Sequence, residues 1–327
     1  MKKTRLGFNG LEVSPLGLGC FGMSHAYGPA NDVESTATIQ RALYLGCNFF
    51  DTADSYGAGH NERLLGVAIA GRRKEVVLAT KFGFAWNDHG DISGRDGNPA
   101  RVRAACEASL QRLRTDVIDL YYLHRVDPQF PVEETIGAMA KLVEQGKVRH
   151  LGLSEASPAN IRRAHAAHPI AALQSEYSLW TRDSERDAIP VCRELGIGFV
   201  AFCPLGRGFF TGKMKPSDLD AADFRKSMPR FEQENFARNL ESLACIEEIA
   251  REKHCSAAQI ALAWVLARGN DVTAIPGTRR TAHLEENLDA LNVELTSEEV
   301  RQMDEMMPLE SFAGERYTEK SIFKPDA

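Results

Sequence analysis

Asp51, Tyr56, Lys81 and His124 stand at or just past the ends of successive apolar runs. Asp51 closes the run 47–51, Tyr56 follows in the loop 52–57, Lys81 closes 76–81 and His124 closes 118–124. If these runs are parallel strands of a barrel, their C-terminal ends meet at one mouth, where catalytic groups sit. A carboxylate, a phenol, an ammonium and an imidazole gathered there have the parts to protonate a carbonyl oxygen, which is half of a carbonyl reduction. A phenol with a pKa of about 10 is a poor acid near neutrality unless its phenolate is stabilised. A neighbouring ammonium favours the charged form. Lys81 is the candidate for that part, with Asp51 orienting it through an ion pair and His124 donating a hydrogen bond to the substrate oxygen. General acid catalysis of this kind contributes roughly 10²–10⁴-fold. Taken singly, each residue has a plain structural use as a turn cap, a solvated lysine, a loop aromatic or a rim histidine. Four on one predicted rim favour the catalytic reading.

The elements that must position them are legible as alternation. Eight short apolar runs cover 15–19, 48–50, 76–80, 117–123, 148–153, 170–174, 198–202 and 272–275. Runs buried on both faces are expected of parallel strands. Helical patterns lie between them. One covers 33–45 behind Asn31-Asp32, a fair N-cap. Another covers 99–113 and opens on Asn98-Pro99, with proline at the first helical position. A third, 132–144, stops at Gln145-Gly146. Ser157-Pro158 opens a fourth, and 189–195 and 281–291 supply two more. This alternation predicts an α/β fold, a (β/α)8 TIM barrel. No Pro/Gly/Ser linker divides it, so residues 1–327 are expected to form one domain. Segments 4–8 and 11–13 flank Asn9-Gly10 and predict an N-terminal hairpin with a two-residue turn. The long polar stretch 209–235 is expected to be a functional loop, a lid over the mouth. The tail 310–327, with Phe312, Tyr317 and Phe323, is expected to fold over the same rim.

Composition narrows the function. The chain has 327 residues, 43% of them hydrophobic, and a formal charge of -6, enough for a large core and without the basic stripe that a nucleic-acid partner requires. Nine scattered histidines show no metal-ligand spacing, so no metal is expected. Seven cysteines make an odd count with no C-x-x-C pair, which fits a reduced, cytoplasmic protein. The N-terminus is basic but lacks the apolar core of a signal peptide. The run 260–267 is too short for a membrane span and is followed by Arg268.

Two glycine-containing turns bear on a bound nucleotide. Gly17-Leu18-Gly19-Cys20-Phe21-Gly22 matches G-x-G-x-x-G, but a loop containing Gly28-Pro29 follows where a dinucleotide fold needs a helix. A Rossmann site is therefore rejected, and these glycines are expected to let backbone approach something bound at the mouth. The second turn, Ile275-Pro276-Gly277-Thr278-Arg279-Arg280, leads from the last run into a helix. Barrels often bind phosphate after their seventh and eighth strands at a helix N-terminus. Two arginines and a threonine hydroxyl suit a phosphate monoester.

These pieces together resemble the aldo-keto reductase superfamily, over nearly the whole chain. The most specific parts are Phe50-Asp51-Thr52-Ala53-Asp54-Ser55-Tyr56-Gly57 with Glu62 and Leu65-Gly66, then Thr80-Lys81, Tyr122-Leu123-His124-Arg125 and Gln174-Ser175-Glu176-Tyr177-Ser178. Val200-Ala201-Phe202-Cys203-Pro204-Leu205-Gly206-Arg207-Gly208 and Ile275-Pro276-Gly277-Thr278 complete the set. Within the superfamily the chain resembles the bacterial and plant branch. The resemblance implies NADPH-dependent reduction of an aldehyde or ketone in a barrel without a Rossmann fold. It makes Tyr56 the general acid, Lys81 and Asp51 its modulators and His124 the donor to the substrate oxygen. It puts Gly22, Met23, Asp51, Ser154 and Gln174 at the nicotinamide end, with Ser154 and Gln174 on the carboxamide and Phe202 stacked on the ring. Cys203, Pro204, Leu205, Gly206 and Arg207, with Lys213, should follow the pyrophosphate. Gly277, Thr278, Arg279, Arg280 and His283 should surround the 2′-phosphate, and Glu286 and Asn287 the adenine. The chain departs from many members at three positions, with Phe202 for Tyr, Glu155 for Asn and His283 for Arg. Trp86, Trp180, Phe209 and Phe210 are the candidates for an aromatic rim around a small carbonyl substrate, whose identity and direction of conversion stay open, as does the oligomeric state. The same motifs resemble the cytoplasmic β subunits of potassium channels, which bind nicotinamide cofactor as regulatory modules; tight cofactor binding with slow turnover is what that alternative expects.

Overall fold

The computed structural model describes residues 1–8, 10–24, 27–308 and 311–326. Eight strands form one parallel sheet: β1 (Leu18–Gly19), β2 (Phe49–Asp51), β3 (Val77–Phe82), β4 (Ile118–Leu123), β5 (Val148–Ser154), β6 (Ile170–Glu176), β7 (Gly198–Phe202) and β8 (Val272–Ile275). They neighbour one another in chain order, and parallel bridges Leu16 to Ala274 and Gly19 to Gly277 join the first strand to the last. The sheet is thus a nearly closed barrel. Closure explains the glycines before Phe21. A Cβ on Gly19 would lie 2.8 Å from the carbonyl oxygen of Ile275, so the seam between β1 and β8 requires glycine there. Gly19 serves this packing and also lines the cavity at the barrel mouth.

Side chains alternate across each strand. Phe49, Ala79, Leu120, Tyr122, Ala172 and Val200 point into the barrel and form one buried cluster with Leu6 and Val13. Phe50, Leu78, Tyr121, Leu173 and Phe199 point outward and pack under the helices. Leu6 and Val13 come from the N-terminal segment, where Thr4–Arg5 pairs antiparallel with Glu12–Val13 and plugs the barrel interior. Asn9, half of the predicted turn, lies outside the described residues.

Six helices follow the first six strands, all but α2 foreseen in the sequence: α1 (Asp32–Tyr44), α2 (His60–Ala68), α3 (Pro99–Leu113), α4 (Val132–Glu144), α5 (Pro158–Ala167) and α6 (Ala188–Leu195). Asn31 caps α1 by accepting from the backbone N–H groups of Val33 and Glu34, and Asn98 caps α3 through Ala100. Between β7 and β8 lie α7 (Gln233–Asn239), α8 (Leu243–Glu252) and α9 (Ala257–Leu266); after β8 come α10 (Thr281–Asp289) and α11 (Ser297–Met306). The stretch read as one long loop is a chain of 3₁₀ turns, Gly206–Thr211, Pro216–Asp218, Phe224–Ser227 and Pro229–Phe231, leading into α7. Turns this short leave no 3.6-residue period to read. A hairpin of Phe84–Trp86 with Ile92–Arg95, unforeseen from the sequence, follows β3. Among the described residues no helix is long and apolar enough to cross a membrane.

Candidate active site

The alternation that fills the barrel also places the four reactive residues. Asp51 is two residues beyond Phe49, Lys81 two beyond Ala79 and His124 two beyond Tyr122, so all three continue inward-facing rows at the C-terminal mouth. Lys81 is fully buried. Its Nζ donates to Asp51 Oδ1 at 2.5 Å, to the Thr52 carbonyl at 2.8 Å and to Tyr56 Oη at 3.0 Å. Three acceptors use the three ammonium protons. The other Asp51 oxygen accepts from Gln174 Nε2 at 2.7 Å, which fixes the carboxylate. Burial works against both charges of the Asp51–Lys81 pair, and their mutual contact opposes it.

Tyr56 leans its ring edge on Phe21, with centroids 4.8 Å apart, and lies 6.0 Å from the His124 ring. Burial, followed by the charge of Asp51, pushes its phenol well above the ordinary tyrosine range. In the protein alone, burial therefore outweighs the ammonium, contrary to the simple expectation of a depressed phenol. The acid form is the resident form, and Lys81 acts on the phenolate only as it appears. Burial, then Lys81 and Arg125, hold His124 well below the ordinary histidine range, so its imidazole is neutral and donates from one nitrogen. Phe84 packs on that ring at 4.6 Å, and Ser55 Oγ lies 3.5 Å from Nδ1.

A cavity of about 830 Å³ opens from these residues. Gly22, Asp51, Tyr56, His124, Ser154, Gln174 and Phe202 line its deep end. Cys203, Pro204, Leu205, Arg207 and Lys213 line its middle, and Gly277, Thr278, Arg280, His283, Glu286 and Asn287 its far end on the β8–α10 turn and α10. Most of the sequence-predicted catalytic and cofactor residues are thus brought to one continuous groove. Lys213 Nζ reaches Glu286 Oε1 across it at 3.9 Å.

Several expected residues lie elsewhere. Met23 is fully buried in the outer core, and Gly206 packs its Cα side against Trp180 and Phe210. Arg279 turns from the cavity, with its Nη1 3.5 Å from the carbonyls of Tyr27 and Gly28. Arg280 sits in extended backbone at the start of α10, where adjacent side chains point opposite ways, so the pair divides between two faces. Trp180, Phe209 and Phe210 form no rim. They are buried and stacked together, Trp180 on Phe209 at 4.5 Å, under the 3₁₀ chain. Trp86 lines a separate cavity of about 310 Å³ against α3. Besides Tyr56 and Phe202, the aromatic groups that do line the main cavity are Phe21, Tyr27, Phe84, Phe224, Tyr317 and Phe323. Tyr317 and Phe323 belong to the tail already expected at the rim. Tyr27 had no signal because it depends on the path of an irregular loop, and Phe84 because it belongs to the unforeseen hairpin. Arg125 also lines the cavity; it donates to the carbonyls of His124 and Phe323 and to Ser154 Oγ. Glu155, where Asn is common, faces away: its Oε1 accepts from Ser175 Oγ, the Glu176 backbone and Arg316.

A sequence model of the aldo/keto reductase family matches residues 15–308. The chain belongs to the aldo/keto reductase family. It is 47% identical over 319 residues to the probable aldo-keto reductase 1 of Glycine max, covering 97% of this chain and 92% of that one. The glycerol dehydrogenase of Gluconobacter oxydans superposes with a TM-score of 0.84 at 32% identity, over 93% of this chain and 94% of that one. An aldo/keto reductase from Klebsiella pneumoniae, solved with NADP and acetate, superposes with a TM-score of 0.73 at 30% identity, over 94% and 95%. This aldo/keto reductase is accordingly an oxidoreductase built on a (β/α)8 barrel.

Proposed function

We propose that this aldo/keto reductase uses NADPH to reduce a small aldehyde or ketone to the alcohol, as one barrel domain, with Tyr56 as general acid. The observation that carries the reading is the Lys81 ammonium, fully buried and bonded at once to Asp51, Thr52 and Tyr56. A buried charge is costly unless paired, and this one is spent on a phenol hydroxyl facing a cavity.

The groove fits the cofactor chemically. At its far end the Arg280 guanidinium and the Thr278 hydroxyl stand at the N-terminus of α10, a place suited to a phosphate monoester. Lys213 and Arg207 supply further positive charge along the middle. At the deep end Ser154 Oγ accepts from Arg125, which leaves its own O–H to donate to a carboxamide, and Phe202 offers a ring face. NADPH bound there supplies the hydride. Tyr56 gives its proton to the alkoxide oxygen, and Lys81 at 3.0 Å stabilises the phenolate left behind. Neutral His124 donates a hydrogen bond to the same oxygen, and the apolar walls Phe21, Phe84 and Phe323 exclude water from it. A panel of carbonyl compounds followed by NADPH absorbance, with NADH in parallel, tests the reading. Absence of turnover with every carbonyl despite tight NADPH binding would count against it.

A further inference from the structure

The C-terminal tail enters the barrel through a buried ionic clamp outside the cavity wall. Arg316 Nη2 donates to Glu155 Oε1 at 2.6 Å, and its Nε lies 3.0 Å from Glu176 Oε2. Glu155 directly follows β5 and Glu176 ends β6; both are buried. Glu176 Oε2 also accepts from Arg207 at 2.8 Å, and Arg207 in turn donates to Tyr317 Oη at 3.1 Å. The Arg316 guanidinium lies 5.7 Å from the centre of the Phe202 ring and 5.0 Å from that of Tyr317. Glu155 is shaped for this task. It adopts left-handed backbone, its N–H is held by the Gln174 carbonyl and its own carbonyl accepts from Asp326 of the tail.

We infer that Arg316 is a positioning residue: clamped between Glu155 and Glu176, it fixes Tyr317 and the Phe202 ring as one unit, so that cofactor retention and carbonyl affinity depend on a tail residue that lines neither site. The inference rests on the proposed reading of Phe202 as the nicotinamide platform. The rest of the tail has its own anchors. Arg95 and Arg125 hold the carbonyls of Ile322, Phe323 and Lys324, and Asp326 accepts from Ser157 at the N-terminus of α5. Asn239 exchanges two hydrogen bonds with the Ala313 backbone and Arg230 donates to the Gly314 carbonyl, so loss of Arg316 should release the segment 315–319 and leave 311–314 and 322–326 in place.

The test is amide hydrogen exchange of the tail, NADPH affinity by fluorescence quenching and steady-state kinetics, on R316M, R316K and E155Q. In R316M we expect exchange in 315–319 to rise about tenfold or more, because buried Glu155 loses its ion-pair partner and Glu176 is left with Arg207. NADPH Kd and carbonyl KM should each rise about tenfold while kcat changes about threefold or less, the pattern of lost binding rather than lost chemistry. R316K should recover part of the effect, since an ammonium keeps the charge without the two-pronged geometry. E155Q, which keeps the shape and removes one charge, should show the same changes in smaller degree if R316M fails to fold. Unchanged exchange in 315–319, or a loosened tail with Kd and KM unmoved, would overturn the proposal. If no carbonyl compound is turned over, the proposed reduction fails, while exchange and NADPH binding still decide the role of Arg316.

Discussion

Lys81→Met removes one cation and should separate chemistry from binding. The ammonium stands 3.0 Å from the Tyr56 oxygen. At an effective dielectric constant of about 20, a unit charge at that distance stabilises the phenolate by about 5.5 kcal/mol. At about 1.36 kcal/mol per decade this is about four decades in rate. Asp51, bonded to the same nitrogen at 2.5 Å, opposes the phenolate and reduces the net effect. A fall in kcat of about 10²–10⁴-fold is therefore expected, the range of general acid catalysis. NADPH affinity should stay within about twofold, because Lys81 is buried behind Asp51 and Tyr56 and its loss should be felt in the transition state. Removing one partner of a buried pair also costs about 3–5 kcal/mol of stability. The double variant Asp51→Asn/Lys81→Met removes both charges, so it should regain stability in urea denaturation without regaining rate. Single-turnover decay of NADPH absorbance measures the chemical step. A folded Lys81→Met protein with a rate within tenfold of the parent would refute the assignment.

Tyr56→Phe should lose at least about 10² in kcat with NADPH Kd nearly unchanged, and adding Lys81→Met should cost little more, since the two act as one unit; additive losses in the cycle would separate them. Arg280→Ala should raise NADPH Kd about tenfold or more and leave NADH Kd alone, because a charge-assisted hydrogen bond contributes about 1.5–3 kcal/mol. Arg279→Ala, which is turned toward Tyr27 and Gly28, should do neither, and the NADPH preference should shrink at high salt. Asp54 gives a pH dependence of stability. Burial and then the charge of Glu62 raise its carboxyl from 3.8 to about 7. Between those values the folded chain keeps a proton that the unfolded chain has lost, so the native state weakens as pH rises from about 4 to about 7 and stays weaker above. The shift corresponds to at most about 4 kcal/mol, and Asp54→Asn should therefore melt higher than the parent at pH 8 and level with it at pH 4. Equal melting curves at both pH values would show that Asp54 is solvated.

The strand-borne part of this molecule was readable because a strand has a period of two. Once Phe49, Ala79 and Tyr122 face inward, Asp51, Lys81 and His124 must follow. Gln174 and Phe202 obey the same count from Ala172 and Val200. Cap chemistry was equally direct at Asn31 and Asn98, whose side chains accept the first free N–H groups of their helices. Where no period exists, composition misled. Trp180, Phe209 and Phe210 are near the mouth in sequence and aromatic, which suits a rim, but they are also the largest apolar surface available to cover the 3₁₀ chain. Core packing claimed them, with Phe231 and Phe236 completing the cluster.

Glu155 shows the limit of motif matching in the other direction. At a position where Asn is common, a carboxylate reads as a damaged cofactor contact. The fold gives it a different partner from the far end of the chain, Arg316, 161 residues away. No local pattern announces that pairing, because an ion pair across such a separation is specified by where β5 and the tail meet, not by either segment alone. Yet its physics is strict: two adjacent carboxylates, both buried at strand ends, must find cations. Burial alone would raise the Glu176 carboxyl; the surrounding arginines overcome it and hold the group down to about 2, with Arg316 and Arg207 the largest sources of the lowering. Against the same burial, Arg316 and Arg125 likewise lower the Glu155 carboxyl, so the tail is fastened by charge near neutral pH. A substitution that looks like loss at the cofactor is, in this chain, one anchor of the tail.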